Sequence, residues 1–438
     1  MLFRATSLLA SLYWASSCVP EALAAFPDTP FTTDGRDIIS ASGEKVVFAG
    51  VNWPGQGMTM LPEGLQYNSI ANITSFIKQD LGMNVIRLTY AIEMVDDYLG
   101  DSPNQSLKAT LANALGEDDG ATVLEQILDN NPHFTEETTR LEVFDAVAEE
   151  AARQEVWVLL DNHVSKAIWC CSHTDGNAWF GGTPSKASLL NKESTLSFRA
   201  DEYFNVYNWQ RGLGFMADHT KSWKALAAMS LRNELREATD STAEPYTWDT
   251  WLKNVIPAAT GIHSNNSLPL IFFSGLNYDT DDSFMIDGTT TEDGASFEPS
   301  SYPFSDKIVY EIHNYDNGAT SCDDVRSYLY DNAYGAMNLS DPAHPNKGPV
   351  VMTEFGFNQE DGSSESVYAQ CIQDVVLDAP GGPAGWMQWV ISGSYYIREG
   401  TKDFEETWGI LNHAWKGWRN ETVVEDYDLP FVDATLNE

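Results

Sequence analysis

Between residues 46 and 393 the chain repeats one pattern eight times: a short, unbroken apolar run, then a longer segment with helical periodicity. The runs are 46–53, 84–90, 156–163, 225–234, 268–276, 307–315, 349–357 and 385–393. Apolar residues that continue rather than alternate mark strands covered on both faces, as in a parallel sheet. Between them, segment 69–82 has Ser69 as an N-cap, Ile70, Ile73 and Ile77 on one face, and Gly82 as a stop. Segment 139–155 aligns Leu141, Phe144, Ala148 and Ala151, and segment 248–263 aligns Trp248, Trp251, Val255 and Ile262, with Pro257 expected to bend it. Eight strands alternating with helices predict an α/β fold, a (β/α)8 TIM barrel formed as a single domain by residues 25–438. Long loops are expected after strands two and three, at about 91–137 and 164–200, where a barrel carries its binding groove.

Residues 1–24 read as a secretory signal peptide: an early Arg4, an apolar core from Ser7 to Ala15, and the small-residue end Ala22-Leu23-Ala24. No later run reaches the roughly 18 apolar residues of a membrane span, so a secreted, extracellular protein without a membrane partner is expected. Asn-x-Ser/Thr sequons at Asn72, Asn104, Asn265, Asn338 and Asn420 fit that compartment. A net charge of −39 argues against nucleic acid, whose phosphates need Lys and Arg patches. No zinc-type spacing or phosphate-binding glycine loop is present, so neither a metal nor another cofactor is implied.

In barrels the active site forms where strands end. The last residues of the runs are Trp53, Arg87, His163, Asn233-Glu234, Asn277, His313 with Tyr315, Glu354 and Trp389. Helix capping accounts for one or two of these, but caps prefer Ser, Thr, Asp and Asn over Glu, His, Arg and Trp. The stretch Leu231–Glu237 (LRNELRE) thus reads as half of an active site rather than a cap. Glu234 and Glu354 close strands four and seven, and two carboxylates are the minimum machinery for cleaving an acetal. Singly, Arg87 also reads as an ion-pair partner, His163 and His313 as hydrogen-bonded core histidines, and Asp161 and Asn162 as loop supports. Trp53, Trp169, Trp179 and Trp209 read either as packing or as sugar-stacking residues.

From GVNW at 50–53 to WGILNHAWKGW at 408–418, the chain resembles glycoside hydrolase family 5, the cellulase-like retaining β-glycosidases on (β/α)8 barrels. The resemblance implies Glu234 of LRNE as acid/base and Glu354 of VMTEFG as nucleophile. It implies Asn233 as a ligand of the sugar 2-hydroxyl and Arg87 and Tyr315 as partners of the nucleophile. His163 and His313 would line the cleavage subsite, with Trp389 as its aromatic floor. Leu235 stands where many members carry proline, which marks a subgroup. The expected function is hydrolysis of O-glycosidic bonds in a β-linked polysaccharide or oligosaccharide by a monomeric, endo-β-1,4-glucanase-like enzyme. The alternatives are an exo-acting or glycoside-specific β-glycosidase and a non-catalytic carbohydrate-binding barrel. Intact glutamates and partners speak against the last. Arg87 and Tyr315 are expected to keep Glu354 ionised, and the Glu354 charge to raise the Glu234 pKa.

If Cys18 leaves with the signal peptide, Cys170, Cys171, Cys322 and Cys371 remain, an even count that suggests two disulfides. Cys322 and Cys371 fall near the starts of helices after strands six and seven, neighbours in a barrel, so this pairing is expected. Cys170 and Cys171 are then bonded to each other or left as thiols.

Overall fold

The computed structural model describes residues 28–100, 105–181, 203–239 and 243–437. The expected signal peptide, Cys18, the Asn104 sequon and residues 182–200 of the expected loop lie outside them. The chain enters through an antiparallel sheet of β1 (Thr32–Asp34), β2 (Asp37–Ile39) and β3 (Lys45–Val46). Eight parallel strands then close a barrel in chain order: β4 (Ala49–Trp53), β5 (Val85–Ala91), β6 (Trp157–Val164), β7 (Leu226–Ser230), β8 (Leu270–Ser274), β9 (Ile308–His313), β10 (Val350–Glu354) and β11 (Gly385–Gln388), which returns to β4. β12 (Ser394–Arg398) and β13 (Thr401–Glu405) form an antiparallel hairpin beyond the last barrel strand.

Each apolar run matches one barrel strand; β5 and β6 extend one residue past theirs, and several other strands stop before their run does. β7 ends at Ser230, ahead of Asn233-Glu234, and β11 ends at Gln388, ahead of Trp389. These tails leave the ladder and supply the mouth. The barrel floor is a separate apolar cluster in which Phe31, Val46 and Phe48 meet Trp157, Leu159 and Phe272. Phe31 and Phe48 ring centroids lie 5.1 and 5.7 Å from that of Trp157, so the small N-terminal sheet plugs the end opposite the site. β1, β2 and the two hairpin strands fall outside the apolar runs because each is short and interrupted by polar residues, and β3 meets the first run only at Val46.

The helices follow the sequence signals. Ser69 accepts from Asn72 N at 3.1 Å, and the helix Ile70–Ser75 continues as a π-helical turn, Phe76–Asp80, before Gly82 at φ 72°. Thr139 and Glu142 form a reciprocal capping box for Arg140–Arg153, which buries Leu141, Phe144, Ala148 and Ala151. Pro257 does not interrupt its helix, which runs from Trp248 to Asn265. The segment expected as a loop at 91–137 is instead largely helical, with Ile92–Leu99, Leu107–Leu115 and Glu117–Asn130. Its signals were in the sequence: Ser106 caps, Leu107, Leu111 and Leu115 form a buried stripe, and Gly116 at φ 87° makes the break.

Cys322 and Cys371 are bonded, with Cα atoms 5.3 Å apart, and Cys170 is bonded to Cys171. The first bridge closes a sequence separation of 49 residues. Replacing both Cys322 and Cys371 by serine is expected to lower the unfolding free energy by about 4 kcal/mol on loop entropy. Denaturation midpoints that coincide with wild type would contradict this.

Asp428 is fully buried beside Gln388, and burial pushes its carboxyl up to about 8. Such a group, whose unfolded pKa is near 3.9, holds its proton more tightly in the folded state. Its contribution to stability is full below about pH 4 and is lost as the pH climbs to about 8. Asp428→Asn should therefore gain stability relative to wild type at pH 8 compared with pH 4, read by urea denaturation at both values. A constant difference between the two pH values would refute the assignment.

Candidate active site

Side chains along a strand alternate between the barrel interior and the helix layer. On β4 this turns Asn52 inward, where Nδ2 donates to Thr353 O at 2.9 Å and Oδ1 accepts from Arg87 Nη1 at 2.9 Å. Trp53, expected at the site, faces the other way. It is fully buried, donates Nε1 to Glu63 O at 2.9 Å and packs 6.5 Å from the Trp415 ring, so it belongs to the core.

Arg87 on β5 is the centre of the inner network. Nη1 donates to Glu354 Oε1 at 2.5 Å, and Nη2 donates to Asn233 Oδ1 at 2.9 Å. Nη2 also lies 3.2 Å from both Asp161 Oδ1 and Glu311 Oε1. Burial alone would favour discharge of the guanidinium, but Asp161, Glu354 and Glu311 outweigh it and raise its pKa. Asp161 and Glu311 sit two residues before His163 and His313 on the same inward faces of β6 and β9. Asp161 thus braces Arg87 and, through Oδ2 at 2.8 Å, His163 Nδ1, rather than the loop. Glu311 escaped the strand-end criterion, although its spacing of two from His313 was legible.

Glu354 ends β10, where the ladder register shifts between Met352 and Glu354. Tyr315 donates its hydroxyl to Glu354 Oε2 at 2.8 Å. Burial, then the Glu354 charge, holds the Tyr315 pKa well above the usual phenol range, so it remains a donor. Arg87 and Tyr315 together engage both oxygens of one carboxylate.

Glu234 stands at φ 48°, a left-handed conformation unusual for a residue with a side chain. Asp279 Oδ2 accepts from Glu234 N at 2.6 Å, and Arg236 Nη1 donates to Glu234 O at 2.7 Å, so the residue is gripped from both ends. Asp279 closes a run of three left-handed residues with Asn277 and Tyr278. Asn277, a strand-end candidate, turns to Thr280 and does not line the cleft. Burial is the largest cause of a raised Glu234 pKa, rather than the expected charge of Glu354.

His313 explains how a protonated Glu234 is accommodated. Thr353 donates its hydroxyl to Glu311 Oε1 at 2.6 Å, so its oxygen accepts from His313 Nε2 at 3.0 Å. That assigns the ring proton to Nε2 and leaves Nδ1, 3.3 Å from Glu234 Oε1, as an acceptor for a carboxylic acid proton. Burial lowers the His313 pKa to about 4, which keeps the ring neutral for this role. One carboxyl oxygen each of Glu234 and Glu354 and a ring nitrogen of His313 lie within 4.8 Å of one another.

Above this network opens a cleft of about 430 Å³, within the range of small-ligand sites. Trp389 lines it, stacked on His163 at 5.5 Å and 15°. The Cys170–Cys171 bridge borders it, with Cys170 Sγ 3.6 Å from His163 Nε2 and Asn233 Nδ2 3.9 Å from the same sulfur. Trp169 lines the cleft, whereas Trp179 and Trp209 are buried packing residues. Arg398, Glu406 and Trp408 line it as well and were missed by the sequence reading. They come from the hairpin and the turn after it, which Trp169 meets through an Nε1 bond to Ile397 O at 2.9 Å. No helix of the described residues is long and apolar enough to cross a membrane.

A family model for Cellulase (glycosyl hydrolase family 5) matches residues 39–391. A Chamaecyparis obtusa protein described as a glycosyl hydrolase 5 family protein is 32% identical over 420 residues, spanning 93% of this chain and 67% of that protein. Among solved structures, a cellotetraose complex of an endocellulase from Pyrococcus horikoshii aligns with TM-score 0.60 and 18% identity, covering 93% of this chain and 98% of that one. The catalytic domain of the major endoglucanase of Xanthomonas campestris pv. campestris aligns with TM-score 0.59 and 16% identity, covering 93% and 100%. At these identities the structural likeness speaks for the fold. With the family model spanning most of the chain, the protein belongs to glycosyl hydrolase family 5 and is a glycosidase.

Proposed function

We propose that the protein is a secreted retaining endo-β-glucanase that hydrolyses a β-1,4-linked polysaccharide by double displacement. The observation that carries this reading is the approach of the Glu234 and Glu354 carboxyl oxygens to within 4.8 Å. Retaining enzymes hold their carboxyl groups about 5–5.5 Å apart, and inverting ones leave about 6.5–9.5 Å for a water molecule. Glu354, held by Arg87 and Tyr315, attacks the anomeric carbon as Glu234 protonates the departing oxygen. The resulting glycosyl ester on Glu354 is then opened by a water molecule that Glu234 deprotonates. Asn233, bonded to Arg87, is the partner for the sugar 2-hydroxyl, and Trp389 stacks beneath the ring.

Proton NMR of the first product released from a β-glucan oligosaccharide is expected to show the β-anomer. An α-anomer at early time would end the double-displacement reading. The contact of Trp169 with the hairpin ties together two segments that line the cleft, which favours a second, exo-acting reading. Early products of many lengths from soluble glucan support endo cleavage, and a single short product supports exo cleavage. Secretion is supported by the N-terminal sequence and by the exposure of Asn72 and Asn265 within their sequons.

A further inference from the structure

The β12–β13 hairpin and the turn after it carry a charged pair into a cleft otherwise lined by aromatic, sulfur and catalytic groups. Arg398 is 28% exposed, and its guanidinium carbon lies 5.1, 5.7 and 5.4 Å from the ring centroids of Trp169, Tyr395 and Phe404. Three rings from two segments therefore surround the guanidinium before any ligand arrives. Nη1 donates to Glu406 Oε2 at 3.0 Å. Glu406 is itself nearly buried and accepts from Trp408 N through Oε1 at 3.0 Å, so the same carboxylate sets both Arg398 and the Trp408 backbone.

This pair is built differently from a structural ion pair. Only Nη1 of the guanidinium finds a hydrogen-bond acceptor among the described residues, and Glu399 Oε1 lies 4.0 Å from Nε. Both residues line the cleft, alongside the half-buried indoles of Trp169 and Trp408. Open donors, a carboxylate acceptor and flat apolar faces are the complement of a neutral pyranose, whose hydroxyls donate and accept while its C–H face stacks. The carboxylate balances the arginine, which disfavours a ligand carrying its own carboxylate or phosphate.

We infer that Arg398 and Glu406 form a sugar-binding subsite that grips the hydroxyls of a ring next along the chain from the one at the two catalytic carboxylates. This rests on the β-1,4-glucanase reading proposed above. The subsite gives the hairpin a role in selecting neutral glycan chains long enough to reach it.

The test compares wild type, Arg398→Ala and Arg398→Lys on cellotetraose and on dinitrophenyl glucoside, which has no second ring to reach the subsite. Arg398→Ala is expected to raise KM for the tetrasaccharide about 10- to 100-fold, the cost of losing hydrogen bonds to a charged donor. The fall in kcat/KM should be larger for the tetrasaccharide than for the shorter aryl substrate. Arg398→Lys should recover little, because it keeps the charge but loses the planar fork. An unchanged KM overturns the inference. So does an equal loss on both substrates with a lowered melting midpoint, which marks Arg398 as a brace of the hairpin. If wild type cleaves neither probe, the β-1,4-glucanase reading fails on its own. Tryptophan-fluorescence titration of wild type and Arg398→Ala with cellotetraose then decides the subsite, and absent binding or equal Kd values overturn it.

Discussion

Glu354→Ala should reduce turnover to background on every glycoside, whereas Glu234→Ala should fail only where the leaving group needs a proton. The difference follows from the two environments. Glu354 receives Arg87 Nη1 on one oxygen and the Tyr315 hydroxyl on the other, so both oxygens are held in place by donors. Glu234 is pushed by burial toward its acid form and faces the Nδ1 acceptor of His313. Loss of general acid catalysis costs roughly 10²- to 10⁴-fold, and a dinitrophenolate departs without that help. The measurement is kcat/KM for both variants on a dinitrophenyl glycoside and on a natural oligosaccharide. Selective survival of Glu354→Ala on the aryl substrate, with Glu234→Ala dead on both, would reverse the roles.

Arg87→Leu is expected to be the most destabilising substitution in the network. It strands Asp161, Glu311 and Glu354 around a cavity with no cation, and breaking a buried ion pair from one side costs about 3–5 kcal/mol. Against a total stability of roughly 5–15 kcal/mol, that is a large share. The pH dependence gives the sign. In wild type, burial tends to raise the Asp161 pKa, but Arg87 and His163 overcome it and hold the carboxyl low. A carboxyl depressed in the folded state stabilises above its unfolded pKa, near 3.9, and loses that contribution as the pH falls through the folded value. In the variant Asp161 keeps its burial without the cation, so its folded pKa rises and acid relieves it. The stability gap between wild type and Arg87→Leu should therefore narrow from pH 7 toward pH 4 in denaturant titrations. A gap that widens on acidification would show that Arg87 is not neutralising these carboxylates. Arg87→Lys should fall between the two, since a point charge cannot serve Asn52, Asn233 and Glu354 at once.

What was legible in the sequence was everything that a strand repeats locally. Eight apolar runs stood for eight strands because a strand buried on both faces must be apolar along its length. The polar or aromatic residue at the end of a run identified the mouth, since a parallel barrel brings the same end of every strand to one face. Glu234, Glu354, Arg87, His163, His313 and Tyr315 were found that way, and the structure brings them together. Trp53 met the same criterion and yet faces the core, because a strand end has two faces and only barrel closure decides which is inward. Closure likewise made Asn52, Asp161 and Glu311 partners of Arg87, through contacts that no sequence spacing encodes. The hairpin wall depended on it most. Trp169 and Ile397 are 228 residues apart and meet only because strands three and eight lie on either side of the two strands that separate them.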